Sequence, residues 1–336
     1  MLTCGGITAI RACPPSPLTG QVLRLIHQPM SKRPYRKQLR DQLFTWLLHG
    51  LIFLVRRLPR RAAIALMRAV GRVAFRLDAR GRRRTVRHLT MALGAEKSGP
   101  EIERLAGRVY RHFGTVLADV MRMPVLIGQG VNRLIAASGM HHLDNALASG
   151  QGVLMITGHF GNWELLGAWM AQNGYPLRVV GSPLENQGLN RIVVEMRNQA
   201  GYTNIARGEG TREIIRSLRQ GCAIGMLIDQ DTKVPGAFVS FFGRPAHTPT
   251  GPVLLARKFG LPIIPIFMYL KDDLTYQIEC QPPLTLRHTE DEAQDTQTNT
   301  QLCSDAYERI IRRFPEQWVW MHKRWKTKPR SQAKAG

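Results

Sequence analysis

The sequence predicts an α/β fold in which a largely parallel β-sheet is covered by helices. Short apolar runs rich in β-branched residues have the length and composition of buried strands. These runs lie at residues 152–157, 177–181, 223–228 and 263–269. Amphipathic helical patterns separate them, at residues 192–200, 211–219 and 253–259. Strands that alternate with helices favour parallel pairing. A further run at 276–280 is expected to be an edge strand.

The first of these strands leads into the motif at residues 158–164. Gly158 and Gly161 permit a tight turn after the strand, and Asn162 is placed to cap the helix that follows. His159 then lies at the carboxyl end of a buried strand, which is where open α/β sheets usually bind their ligands. We therefore expect the functional site to be built around this turn.

His159 and Glu164 have the residue types and spacing of a general base and its orienting carboxylate. A bend at residues 158–162 would bring Glu164 back against the imidazole. A carboxylate on one ring nitrogen fixes the tautomer and stabilises the imidazolium that forms when the other nitrogen accepts a proton. No Ser or Cys nucleophile adjoins the pair, so the base is expected to activate a substrate hydroxyl. The alternative is a histidine that merely satisfies its hydrogen bonds at a strand end.

The charge balance predicts an anionic partner. The 336 residues include 47 Lys and Arg against 24 Asp and Glu, a formal net charge of +23. An anionic membrane or an acidic protein suits such a surface; nucleic acid is not expected, because no zinc-finger spacing or aromatic RNA-binding signature is present. No P-loop, dinucleotide fingerprint or metal-ligand cluster is found, so neither cofactor nor metal is expected. Five cysteines without a pairing pattern indicate reduced thiols facing the cytoplasm.

The chain divides into four predicted parts. Residues 1–37 are expected to be a disordered tail or an extension ahead of a natural start at Met30, and residues 331–336 a short tail. Residues 38–90 are expected to form basic and apolar membrane-associated helices. Residues 91–330 are expected to form the α/β domain.

The membrane prediction rests on the apolar run at residues 43–55 and on the arginines around it. The run has thirteen residues, whereas a bilayer crossing needs about 20. Arg68, Arg72 and Arg76 follow at helical spacing and predict a basic stripe on the next helix. We expect a helix that lies at an anionic membrane surface, with a short anchor as one alternative and an ordinary solvated face as another.

Residues 157–165, Thr-Gly-His-Phe-Gly-Asn-Trp-Glu-Leu, resemble the signature block of the lipid A biosynthesis acyltransferases, the late lauroyl and myristoyl transferases within the lysophospholipid acyltransferase superfamily. The resemblance extends from about residue 38 to residue 330. It includes the blocks at residues 228–231, 239–243, 262–265 and 315–326. The resemblance implies a glycerol-phosphate-acyltransferase-like fold at the cytoplasmic face of the inner membrane. It also implies acyl transfer from acyl carrier protein to a hydroxyl of a lipid A precursor, with His159 as the base.

The resemblance also nominates substrate-binding residues. Arg197 matches a functional arginine that would bind phosphate or stabilise developing negative charge, although Arg191 could claim the same match and either could be a surface residue. Asp229 matches an acid that would hold a cation or a substrate amide or hydroxyl, or stabilise a turn. Gly161 and Asn162 belong to the turn whose backbone amides are candidate oxyanion donors.

Three alternatives stay open. The acceptor could be a lysophospholipid, a mannosylated phosphoinositide or an aminolipid. The protein could instead be a non-catalytic binder of anionic lipid or nucleic acid that uses its basic helices. The C-terminal tryptophans, Trp318, Trp320 and Trp325, either lie at a membrane interface among cations or form a strap packed on the domain.

Overall fold

A computed structural model describes residues 35–184, 186–206 and 210–329. The helices in this part of the chain are α1 (Tyr35–Arg57), α2 (Arg60–Leu77), α3 (Ala79–Leu93), α4 (Gly99–Met121), α5 (Met123–Gly128), α6 (His141–Ala148), α7 (Trp163–Gln172), α8 (Gln187–Ala200), α9 (Thr211–Arg219), α10 (Gly251–Phe259) and α11 (Glu292–Arg313). The strands are β1 (Ile135–Ser138), β2 (Val153–Thr157), β3 (Leu177–Gly181), β4 (Thr203–Ala206), β5 (Ala223–Leu227), β6 (Gly236–Phe241), β7 (Arg244–Pro249), β8 (Ile263–Leu270) and β9 (Tyr276–Cys280). The predicted tail at 331–336, and all but the last three residues of the tail at 1–37, lie outside the described residues.

The central sheet has the strand order β1-β9-β8-β2-β5-β3-β4. Its strands from β8 to β4 run parallel to one another, which confirms the predicted largely parallel sheet. The expectation that residues 276–280 form an edge strand is wrong, because β1 pairs with β9 on its outer side. Three of the four residues of β1 are exposed, so the strand lacks the apolar pattern by which sequence reasoning finds strands.

Strand β2 lies in the middle of the sheet and divides the core. All five of its residues are buried. Leu154 and Ile156 face a layer formed by α3, α4, α10 and α11, whereas Val153 and Met155 face a layer formed by α6, α7 and α8. A parallel strand covered on both faces needs apolar residues at every position, which explains the continuous run in the sequence.

The N-terminal helices pack on α4 through a small apolar cluster and several arginines. Val55, Ile64 and Met67 are buried against Ala118 and Met121.

The arginines of α2 fall into two groups, one that contacts the fold and one that faces solvent. Arg68 turns inward and donates a hydrogen bond to Thr115 of α4 at 2.8 Å, and Arg60 forms an ion pair with the buried Asp119 at 2.7 Å. Arg72 and Arg76 remain exposed. Only part of the cationic excess therefore faces solvent.

Helix α1 presents an apolar surface to solvent. Its exposed apolar side chains include Leu43, Trp46, Leu47 and Phe53, of which Trp46 is 77% exposed. Within the described residues, no helix combines the length and the hydropathy that a membrane crossing requires.

Helices α2 and α4 approach so closely that glycines are required at the crossing. A Cβ placed on Gly114 would lie 2.3 Å from the carbonyl oxygen of Met67, and one on Gly71 would lie 2.4 Å from that of Tyr110. Both obstacles are backbone atoms and can move only if a whole helix moves.

We expect Gly114→Ala to destabilise the protein by about 1–3 kcal/mol, because the added methyl overpacks the α2–α4 crossing. Gly107→Ala, in the same helix, is the matched control: its Cβ would meet only Phe75, at 3.9 Å. There the gain in helix propensity is worth up to about 1 kcal/mol. Urea unfolding followed by circular dichroism measures both changes, and equal stabilities for the two variants would contradict the close-crossing interpretation.

Candidate active site

His159 lies directly beyond β2, in the turn that leads to α7. Asp229 lies just beyond β5, the strand that pairs in parallel with β2 with Thr157 opposite Leu227. Because the carboxyl ends of parallel neighbours meet at the same edge of the sheet, the two residues come together. The predicted placement of His159 at a strand end is confirmed.

Asp229 holds His159 through two hydrogen bonds. The Nδ1 of His159 lies 2.9 Å from Oδ1 of Asp229, and the backbone N–H of His159 donates to Oδ2 at 2.7 Å. With the carboxylate on Nδ1, this nitrogen carries the proton of the neutral ring and Nε2 is the basic nitrogen. The imidazole is about a quarter exposed, whereas Asp229 is fully buried. The pair therefore has the geometry of a general base and its orienting carboxylate.

The charge state of Asp229 follows from its partners. Burial raises the pKa of Asp229, but the charge of His159 and the hydrogen bonds from His159 and Trp318 act more strongly in the opposite direction, so that the net pKa is lowered. The carboxylate is thus ionised at neutral pH and can stabilise an imidazolium.

The predicted contact between Glu164 and His159 is wrong. Glu164 faces α8 and forms a two-point ion pair with Arg197, with Nε of Arg197 2.9 Å from Oε2 of Glu164 and Nη2 bonded to Oε1. The hydroxyl of Tyr202 donates to Oε2 at 2.8 Å, and Nε1 of Trp163 donates to Oε1 at 3.1 Å. The reason is positional. Residue 164 lies in the first turn of α7, which faces α8, whereas Asp229 follows β5, the strand that pairs with β2, and so lies beside the imidazole.

Arg197 acts within the protein as the partner of Glu164. Its third nitrogen, Nη1, donates to the side-chain oxygen of Asn204 at 2.9 Å. Burial lowers the pKa of Arg197, but the hydrogen bond and charge of Glu164 raise it above its ordinary value. Burial also raises the pKa of Glu164, and the hydrogen bond from Arg197 reverses this. Arg191, the alternative match, lies exposed on another face of α8.

Gly161 and Asn162 shape the turn. Gly161 has φ +56°, and a Cβ there would lie 1.7 Å from the carbonyl oxygen of Met268, so only glycine fits. The side chain of Asn162 accepts a hydrogen bond from the backbone N–H of Leu165 at 3.1 Å, which confirms the predicted helix cap. The amide of Gly161 donates to the carbonyl of Gln317 at 2.9 Å, so this candidate oxyanion donor is already engaged.

A cavity of about 530 Å³ opens beside His159 between the sheet and helices α4, α7 and α8. Most of its wall is apolar: Phe113, Val116, Met155, Met170, Leu177 and Val193 are among the lining residues. The wall also includes Glu164 and Arg197, whereas Gly161, Asn162 and Asp229 are not among the lining residues. Leu177 begins β3 and therefore lies about 13 Å below the edge of the sheet, at about 3.3 Å per residue. The site thus joins a basic nitrogen to a deep apolar cavity.

The C-terminal segment at residues 315–327, here the C-terminal strap, packs across the site. Trp318 and Trp320 are fully buried and Trp325 is 6% exposed, so the strap interpretation of the tryptophans is confirmed. Nε1 of Trp318 donates to Oδ2 of Asp229 at 2.8 Å. The backbone and hydroxyl of Thr327 donate to Asp231 at 2.6 and 2.9 Å.

Sequence reasoning missed two supports of the turn. Trp318 reaches Asp229 across a long separation in the chain, and only the interleaving of tryptophans with cations marked the segment. His112 of α4 is buried beside the backbone of Gly161, and burial lowers its pKa to about 4 and keeps it neutral. No sequence signal separates His112 from other histidines. Within the described part of the chain, no group of three or more metal-ligating side chains comes together.

The Glu164–Arg197 pair can be tested by stability. We expect Arg197→Met to destabilise the protein by about 3–5 kcal/mol at neutral pH, because it leaves a carboxylate buried without its cation. In the wild type the folded pKa of Glu164 is depressed, so its contribution is present above the unfolded pKa and is lost as the pH falls through the folded pKa. In Arg197→Met the pKa of Glu164 rises above the unfolded value, and the deficit should shrink on acidification. Urea unfolding at neutral and mildly acidic pH measures both effects.

Two further variants control this measurement. Arg191→Met removes an exposed arginine from the same helix and should change stability by less than about 0.5 kcal/mol. Glu164→Gln combined with Arg197→Met removes both charges and should recover part of the loss. An Arg197→Met variant as stable as Arg191→Met would show that the pair contributes nothing to the fold.

The profile of the bacterial lipid A biosynthesis acyltransferases matches residues 30–327. The lipid A biosynthesis lauroyltransferase of Escherichia coli (strain K12) is 27% identical over 293 residues, which cover 85% of this chain and 92% of the relative. The lipid A biosynthesis palmitoleoyltransferase of the same strain is 25% identical over 288 residues, with the same coverage. A phosphatidylinositol mannoside acyltransferase of Mycobacterium tuberculosis (strain CDC 1551 / Oshkosh) is 25% identical over 221 residues, 63% of this chain and 67% of the relative. Because this profile covers most of the chain, the chain belongs to the bacterial lipid A biosynthesis acyltransferase family.

Proposed function

We propose that the protein transfers a fatty acyl chain from acyl carrier protein to a hydroxyl of a lipid A precursor, with His159 as the general base. The observation that carries this proposal is the His159–Asp229 pair at the mouth of an apolar cavity, in a chain that belongs to an acyltransferase family. Among the described residues, the imidazole of His159 has Asp229 as its hydrogen-bond partner and no Ser or Cys side chain. A base in this setting suits direct attack by a substrate hydroxyl.

The proton follows a short path in this mechanism. Nε2 of His159 removes the proton of the acceptor hydroxyl as its oxygen attacks the thioester carbonyl. Asp229 stabilises the imidazolium through Nδ1. When the tetrahedral intermediate collapses, the carbon–sulfur bond breaks and the imidazolium returns its proton to the departing thiolate. The products are the acyl ester and the free carrier thiol, and His159 is neutral again.

The cavity gives the acyl chain a binding site. A fatty chain buried against Phe113, Met155 and Met170 would leave water, which supplies the apolar contribution to binding. The carbonyl carbon would then lie at the mouth, beside the imidazole. In this proposal Glu164 and Arg197 are positioning residues, because they tie α7 to α8 and so hold two walls of the cavity together.

Donor and acceptor both bear negative charge, which fits the cationic excess. Exposed arginines on α2 and α3 include Arg72, Arg76, Arg80, Arg83 and Arg87. Acidic carrier surfaces and phosphorylated glycolipids would be attracted to such a surface. A mannosylated phosphoinositide is the second candidate acceptor, favoured by the similarity to phosphatidylinositol mannoside acyltransferases.

We also propose that the protein works at the cytoplasmic face of the inner membrane, held by α1 and α2. Three observations support this: the exposed apolar side chains of α1, the further exposed apolar side chains Val70, Val73 and Leu77 of α2, and the exposed arginines of α2 and α3. Apolar side chains flanked by cations suit a helix lying in an anionic interface. Leu117 of α4 is 46% exposed and also lines the cavity, so part of the cavity wall is itself exposed apolar surface.

We expect His159→Ala to lower kcat by about 10²–10⁴-fold, the usual contribution of a general base. Asp229→Asn should be similarly impaired, and the double variant should be little slower than the worse single variant, because the two residues act as a unit. His288→Ala, at an exposed position before α11, is the matched control. Mass spectrometry of the acylated product measures the rate and identifies the acceptor.

The same assay separates the parts of the proposal. Each acceptor, a lipid A precursor or a mannosylated phosphoinositide, is offered with the same chain on acyl carrier protein or on coenzyme A. Full activity of His159→Ala would refute the general-base mechanism. Equal efficiency of the two donors at moderate salt would refute recognition of an acidic carrier. If only the mannosylated phosphoinositide is acylated, that lipid and not a lipid A precursor is the acceptor.

The membrane proposal predicts the effect of charge on the apolar face of α1. The double substitution Trp46→Glu and Leu47→Glu should abolish flotation with anionic vesicles, since both side chains are exposed and their burial in lipid would be lost. Leu254→Glu, at an exposed leucine of α10, is the control. Point substitutions are preferable to removal of α1, because Arg122 donates hydrogen bonds to the carbonyls of Val55 and Arg56. Unchanged flotation of the double variant would rule out α1 as the membrane contact.

A further inference from the structure

The C-terminal strap is attached at several points to the turn at residues 158–162, which carries His159. Phe160 of the turn forms a β-bridge with Trp318, and the amide of Gly161 donates to the carbonyl of Gln317 at 2.9 Å. The side chain of Gln317 bonds to both the backbone N–H and the carbonyl of Leu270, at 2.9 and 2.8 Å, and so fixes the strap to the end of β8. From the other side, His88 of α3 bonds to the carbonyl of Trp320 at 2.9 Å.

Trp318 links this attached strap to Asp229. Its indole N–H donates to Oδ2 of Asp229 at 2.8 Å, the same oxygen that accepts the backbone N–H of His159. Oδ1 is left for Nδ1 of the imidazole. The indole cannot easily move, because its ring is fully buried and contacts Phe241 and Trp320 at centroid distances of 5.4 and 4.8 Å.

We propose that Trp318 is a positioning residue: its indole N–H fixes the carboxylate of Asp229 and thereby holds the imidazole of His159 in the orientation needed for proton abstraction. This inference rests on the proposed role of His159 as the base. It makes the C-terminal strap a functional part of the site, beyond its contribution to the core.

The chemical consequence has a definite sign. A donor on Oδ2 draws electron density from the carboxylate and makes it a weaker partner for the imidazolium. Without that donor, Asp229 is more basic and freer to rotate, so His159 should become easier to protonate and more poorly oriented. The free base would then be a smaller fraction at neutral pH, and each free base would react more slowly.

Other titratable groups also act on the pair. His322 and Arg324 of the strap, Asp231 of the loop after β5 and Tyr307 of α11 all lie within electrostatic range of Asp229 or of the groups around it. A test must therefore leave these four residues unchanged.

The test compares Trp318→Phe with Trp320→Phe. Trp320 is the control, because it is fully buried in the same strap and its indole N–H donates to a backbone carbonyl, that of Pro315, at 2.6 Å. Trp320→Phe keeps an aromatic ring against Trp318, so the packing that holds the indole of Trp318 is retained. We expect Trp318→Phe to lower kcat by about 10-fold or more, the value of a hydrogen bond to a charged group, and to move the acid limb of the pH–rate profile to higher pH. Trp320→Phe should lose stability to a similar extent and move neither quantity.

A second readout does not depend on activity. The titration of the His159 imidazole, followed by nuclear magnetic resonance in the free protein, should shift upward in Trp318→Phe and stay in place in Trp320→Phe. If no acceptor is acylated at all, the proposed function fails while this titration still decides whether Trp318 controls the pair. Benzothienylalanine at position 318 preserves the ring shape without the N–H, and it replaces phenylalanine if Trp318→Phe does not fold.

A positioning role also predicts that the effects of substitutions at Trp318 and Asp229 on kcat are not additive. In an Asp229→Asn background the change at Trp318 should have little further effect on kcat, since the carboxylate through which it acts is gone. The proposal is overturned if Trp318→Phe and Trp320→Phe behave alike, if the titration of His159 does not move, or if the effect of Trp318→Phe is undiminished in Asp229→Asn.

Discussion

The arrangement of the whole site depends on one buried carboxylate, that of Asp229. A charge with no exposure to water is tolerated only when its lone pairs are satisfied. Here the donors come from two distant parts of the chain, the turn at His159 and the C-terminal strap at Trp318. The need to satisfy this group therefore links β2, β5 and the end of the chain at one edge of the sheet. The same hydrogen bonds that make the burial tolerable orient the imidazole, so stability and function rest on the same contacts.

A second buried carboxylate, Glu164, solves the same physical problem with a different partner. Its charge is compensated by Arg197, with further donors from Tyr202 and Trp163. Burial raises the pKa of Tyr202 well above its ordinary value, so its hydroxyl remains a donor. The two carboxylates serve separate networks: Asp229 holds His159, and Glu164 holds together the helices that enclose the cavity.

The basic residues near the N-terminus are similarly divided. Arg60 and Arg122 are used inside the fold, the first with Asp119 and the second with backbone carbonyls at the end of α1. Others, such as Arg72 and Arg76, face solvent beside exposed apolar side chains. A net charge therefore overstates the cationic surface, and only the structure separates structural arginines from those that can meet a partner.

The sequence by itself determined the fold class, the central strand, the turn at His159 and the helix cap at Asn162. Each of these follows from local patterns, because burial on both faces, backbone freedom at glycine and capping all act over a few residues. It also determined the family, through motifs in the correct order. Only the tertiary structure decided which carboxylate contacts His159. Glu164 is near in the sequence but faces α8 from its own helix, whereas Asp229 is distant in the sequence but follows the strand that pairs with β2, and spacing along the chain does not reveal this difference. The outer strand β1, the inward turn of Arg68 and the contact between Trp318 and Asp229 were likewise decided by pairing between distant segments, which leaves no periodic signal in the sequence.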